Sequence, residues 1–158
     1  VLIAALYTVL KPVDRNLALL AALWRVVETA VLVVAALNDL EALRILSAAD
    51  YLRAFDTGQL HALARLALGG HGAGYNVGLM FAGLGSTVFC YLWFKSKYIP
   101  TWLALLGVFA SALLAVCAFG FIVFPELAKT VTVAYFGGPI VGFESTMGFW
   151  LLLTGLRN

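Results

Sequence analysis

Arg25 and Glu28 stand three residues apart inside residues 17–37, a run otherwise built mainly from Leu, Ala, Val and Trp, and Glu144 interrupts a second apolar run. A charge at bilayer depth costs at least about 2.5 kcal/mol on insertion scales, so such residues face a protein interior and find partners there. The i, i+3 spacing puts Arg25 and Glu28 on one helical face. At about 1.5 Å of rise per residue, Arg25 lies about 12 Å and Glu28 about 16 Å in from Leu17, while Glu144 lies about 15 Å in from Thr154. If the spans alternate, both measurements start from the same membrane side. The three residues then share a depth near the midplane and form one buried polar site. One base and two acids are neutral together only if one carboxyl carries a proton. Such a cluster is either a proton-handling or ligand-binding site, or a static ion pair that fixes helix packing.

Other polar residues are weaker candidates. His71 and Asn76 fall towards the outer end of a later apolar run, where His71 is an interfacial hydrogen bonder or a proton entry point. His61 and His71, ten residues apart and without a Cys or Asp motif, do not make a metal site. Bis-His haem ligation would need both side chains at one plane. Cys90 and Cys117 fall near opposite membrane faces, so they are expected to be free thiols. No Gly-rich phosphate loop, nucleophile elbow or paired-metal spacing is present, so nothing marks the chain as an enzyme. No cofactor is indicated, although a bound lipid, quinone or pigment is compatible with the composition.

The elements that must carry these residues are membrane helices. Of 158 residues, 63% are hydrophobic and 11% charged, which makes lipid the solvent for most of the chain. Four complete spans are predicted, over residues 17–37, 72–94, 102–124 and 131–154, each long enough to cross about 30 Å of hydrocarbon. Residues 1–10 read as the end of a span truncated at the N-terminus. They are not a signal peptide, because no basic leading segment or small-residue cleavage site is present. Residues 38–70 are predicted to form an extracytoplasmic connection of two short amphipathic helices, the second capped by Asp56 or Thr57. They either cap the bundle or form a lid or docking surface. The expected fold is an all-α polytopic transmembrane bundle in one domain, residues 1–158.

Loop charges predict the orientation. Lys11, Arg15, Lys95, Lys97 and Arg157 gather on one side against Asp14 alone. The other side mixes Arg44, Arg53, Arg65 and Lys129 with Asp39, Glu41, Asp50, Asp56 and Glu126. Lys and Arg near span ends are retained in the cytoplasm, so the first side, with the C-terminus, is predicted to be cytoplasmic. The net charge of +2 is spread along the span ends and makes no nucleic-acid patch.

Two packing signals remain. Gly70, Gly74, Gly78, Ala82, Ser86 and Cys90 recur at every fourth residue, a small-residue stripe that admits a neighbouring backbone within the chain, in a homodimer or in another subunit. Gly137, Gly138 and Pro139 lie one to two turns before Glu144 and predict a kink or break, available as a hinge. Backbone groups freed there would have to be covered by protein or line a wet cavity, with Tyr135, Ser145 and Thr146 as possible partners.

Several segments resemble bacterial membrane proteins of the domain of unknown function 4386 family. They are Leu6 and Tyr7 through Lys11, Pro12 and Val13, NLALLAALWRVVE over residues 16–28, HGAGYNVGL over 71–79 and YLWFKSKYIP over 91–100. The resemblance runs over essentially the whole chain. It implies a bundle of about six helices in a bacterial inner membrane, of which this chain would lack one helix and part of another. It implies no particular activity. Two functions are therefore expected: a non-catalytic structural or accessory subunit packed on other membrane proteins, or a small proton-coupled transporter or ligand-binding protein using Arg25, Glu28 and Glu144.

Overall fold

The computed structural model describes residues 1–47 and 55–155, apart from the side chains of 128, 129, 133 and 134. Asp50, Arg53, Arg157 and the side chain of Lys129, which carry part of the predicted charge asymmetry, lie outside the described residues. All regular structure described is helical: α1 (Leu2–Leu10), α2 (Arg15–Leu46), α3 (Thr57–Ser96), α4 (Thr101–Val123), α5 (Leu127–Thr130, a single turn) and α6 (Val133–Thr154). Three of these, α2, α3 and α4, are long and apolar enough to cross a membrane. The 22 residues of α6 have the length, but Gly137, Gly138, Pro139, Gly142, Glu144, Ser145, Thr146 and Gly148 dilute its apolar character.

Local chemistry sets the helix ends. Asp14 caps α2, its Oδ1 accepting from the Asn16 and Leu17 amides at 3.2 and 3.1 Å. Asp56 caps α3 in a reciprocal box with Gln59, so of the two expected candidates it is Asp56 that acts. Lys97 ends α3 in the left-handed region, at φ 59°. Asp14 Oδ2 lies 3.7 Å from Lys95 Nζ, so the start of α2 and the end of α3 sit at one end of the molecule.

The connection over 38–70 differs from its prediction. Its two amphipathic segments are not separate helices but continuations of α2 to Leu46 and of α3 back to Thr57. No proline interrupts either junction. The apolar faces of the extensions, Ala42 and Ile45 against Leu60, Ala64 and Ala67, continue the seam that holds α2 on α3. Extending a packed helix adds one bond per residue, whereas starting a new one repeats the nucleation cost. At 32 and 40 residues the two helices are about 48 and 60 Å long, well beyond a hydrocarbon layer of about 30 Å.

The glycines of α3 explain why it lies between two neighbours. Cβ atoms built on Gly74 and Gly78 would fall 3.2 Å from Ala35 and 2.8 Å from Leu32, both on α2. One built on Gly83 would fall 2.6 Å from the Ala115 amide nitrogen, on α4. An every-fourth-residue stripe advances about 40° per step around a helix of 3.6 residues per turn. It therefore begins against α2, at Gly70, Gly74 and Gly78, and turns towards α4 at Ala82 and Cys90, so both surfaces are used inside the chain. The densest core gathers at the Asp14–Lys95 end, where Leu10, Ala18, Leu92, Ile99 and Leu103 are fully or almost fully buried.

The predicted break in α6 does not occur. The helix runs through Gly137, Gly138 and Pro139 without interruption. Proline withholds one N–H from the Tyr135 carbonyl, but Gly138 has no Cβ for the proline ring to strike, which removes part of the usual obstacle to a helical residue before proline.

Candidate functional site

The site lies where α2, α3 and α6 converge. Arg25 Nη1 approaches Glu28 Oε2 to 2.8 Å, and the two side chains are 22% and 12% exposed. The approach lacks hydrogen-bond alignment, and that buried oxygen has no other hydrogen-bond partner. Gly85 makes room for the pair: a Cβ there would fall 3.0 Å from Arg25 Cγ. Thr29 donates its hydroxyl to the Arg25 carbonyl at 2.8 Å, a bond within α2 that leaves the guanidinium untouched.

Arg25, Glu28 and Glu144 line one cavity of about 530 Å³. On the α3 side its wall is Tyr75, Asn76, Leu79, Ala82 and Ser86; Leu114 and Phe121 come from α4, and Phe136, Gly137 and Ile140 from α6. Phe121 and Phe136 meet edge to face at 5.3 Å between centroids. A second cavity of about 450 Å³ lies on the other side of Arg25, Ser86 and Glu144, which line both. Its remaining wall is apolar and aromatic, with Leu2 and Leu6 of α1, Phe89 and Trp93 of α3, and Phe143 and Met147 of α6. The charged residues thus form a waist between two chambers. Each volume falls in the range of small-molecule pockets, about 300–1,000 Å³.

Glu144 departs from its expected setting. It is exposed, because α6 rests on α4 through Phe136 and Phe143 while much of its remaining surface is uncovered. It makes no ion pair or hydrogen bond among the described residues, although its charge reaches Glu28 and Cys90. Tyr135 and Ser145 are exposed, and Thr146 donates to the Gly142 carbonyl at 2.7 Å, so none of these three completes the site.

His71 has a partner that sequence spacing did not reveal. Its Nδ1 lies 2.9 Å from Asp39 Oδ2 and 3.3 Å from the Ala35 carbonyl, and its ring stacks on Tyr75 at 5.9 Å. Asp39 belongs to α2 and could have been found only from the antiparallel register, in which Ala35 meets Gly74 and Asn38 meets Gly70. His71 and Asp39 do not line either cavity, whereas Tyr75 and Asn76 line the first. Both partners are more than a third exposed, so Asp39→Asn is expected to cost no more than about 1 kcal/mol, read as a small shift of the unfolding midpoint in detergent.

Cys90 is buried and Cys117 half-buried, and both are free. Cys90 lies against the fully buried Ser111 and under Gly107, whose Cβ would fall 2.7 Å from its sulfur.

An all-α chain with three membrane-length apolar helices, and charged residues gathered around clefts between helices, defines a helical integral membrane protein. The chain belongs to the Domain of unknown function (DUF4386) family, whose profile matches residues 1–155. No curated protein and no solved structure matches it.

Proposed function

We propose that the chain is a bacterial inner-membrane protein that binds a small molecule in the chambers around Arg25, Glu28 and Glu144. In this reading α6 is the fourth span, the overhanging ends of α2 and α3 are extracytoplasmic and the C-terminus is cytoplasmic. The observation that carries the proposal is the pair of cavities meeting at one charged waist in the lipid-facing part of the bundle. A static ion pair would need no such pair of clefts beside it. The accessory-subunit reading loses the surface that motivated it, since the glycine stripe is occupied by α2 and α4 of the same chain.

The test is purification in nanodiscs followed by native mass spectrometry of the wild type and Ser86→Trp, which places an indole in the wall common to both chambers. A small molecule retained by the wild type and lost in Ser86→Trp is the expected result. Recovery of a fixed set of other membrane subunits, with no small molecule in either sample, would overturn it.

A further inference from the structure

Resting on the small-molecule reading, we propose that the ligand is a lipophilic organic cation, held at Glu144. The first chamber carries two carboxylates against one guanidinium. Arg25 is already paired with Glu28 at 2.8 Å, so it does not balance both acids. Glu144, facing both chambers, has neither an ion pair nor a hydrogen bond among the described residues. A carboxylate that faces both chambers without a counter-charge of its own attracts a cation into them.

The walls suit the cation. Tyr75, Phe121 and Phe136 present rings to the first chamber, and the faces of such rings attract a desolvated cation within about 6 Å. Phe89, Trp93 and Phe143 do the same for the second, which is wide enough for the apolar body of the molecule. An anion would meet two carboxylates, with Arg25 engaged elsewhere. The other titratable groups facing Glu144 are Arg25 and Glu28 of α2 and Tyr75 and Cys90 of α3; α1 and α4 contribute only apolar side chains.

Tetraphenylphosphonium and tetraphenylborate have one shape and opposite charge, which makes them the probes. Binding of each is measured by titration calorimetry to the protein in phosphatidylcholine nanodiscs, with empty nanodiscs subtracted. Phosphonium is expected to bind in preference to borate. Glu144→Gln should weaken it about tenfold or more, while Glu41→Gln on the overhang leaves it unchanged. Borate binding as well as or better than phosphonium would overturn the cation assignment. If Ser86→Trp abolished that borate binding, the small-molecule site would survive the failure. Phosphonium binding that is unaffected by Glu144→Gln overturns the assignment to Glu144, and absence of binding by both probes overturns the inference as a whole.

Discussion

Gly83→Ala is expected to destabilise the bundle by about 1–3 kcal/mol, the usual cost of forcing a methyl group into a filled space. A Cβ at Gly83 would lie 2.6 Å from the Ala115 nitrogen and 2.8 Å from its Cα. These are backbone atoms, so relief requires α3 and α4 to move apart rather than a side chain to rotate. Their separation would weaken the packing around Ala82, Leu114, Phe121 and Phe136. The control is internal. A Cβ at Gly142 or Gly148 on α6 meets nothing within 4 Å, and Ala there should be neutral or stabilising by up to about 1 kcal/mol through helix propensity. Unfolding in mixed micelles by titration with dodecyl sulfate compares all three. Equal behaviour of Gly83→Ala and Gly142→Ala would show that the α3–α4 contact is looser than described.

The second large effect concerns charge. Arg25→Met removes the one cation that lines the first cavity among the described residues and leaves Glu28 and Glu144 facing it. Breaking a buried pair costs about 3–5 kcal/mol, but partial exposure and protonation of the stranded acid reduce this to about 2 kcal/mol. Adding Glu28→Leu should return most of that loss, because the stranded carboxylate is then gone. The double-mutant cycle isolates the coupling, expected at about 1–2 kcal/mol. A double mutant no more stable than Arg25→Met would mean that the arginine acts through its packing against Gly85 and Ala21 rather than through Glu28.

The sequence made some of these features legible and hid others for identifiable reasons. Long apolar runs announced α2, α3 and α4, because a bilayer demands length and hydrophobicity together. The Arg25–Glu28 contact followed from i, i+3 spacing within one helix, and the shared depth of Glu144 followed from rise per residue. Which side of α6 is covered did not follow, since it depends on how far α6 leans on α4; hence the exposure of Glu144 was unforeseen. The Asp39–His71 contact was hidden because partners on different helices are fixed by register, which the glycines reveal only once both helices are placed. Hydropathy divides the overhangs from the spans because their polar residues break its signal. Helix continuity obeys nucleation and packing, which hydropathy does not record.

The overhang gives experimenters a handle. The ends of α2 and α3 stay packed together through Ala42, Ile45 and Ala64, on helices longer than a hydrocarbon layer is thick. A small membrane protein gives electron microscopists little to align on, since most of its mass is buried in the nanodisc. A soluble helical fiducial spliced between Ser47 and Phe55, in register with both helices, would be carried on a stiff two-stranded mast. It would report the orientation of the chambers without touching a residue that lines them.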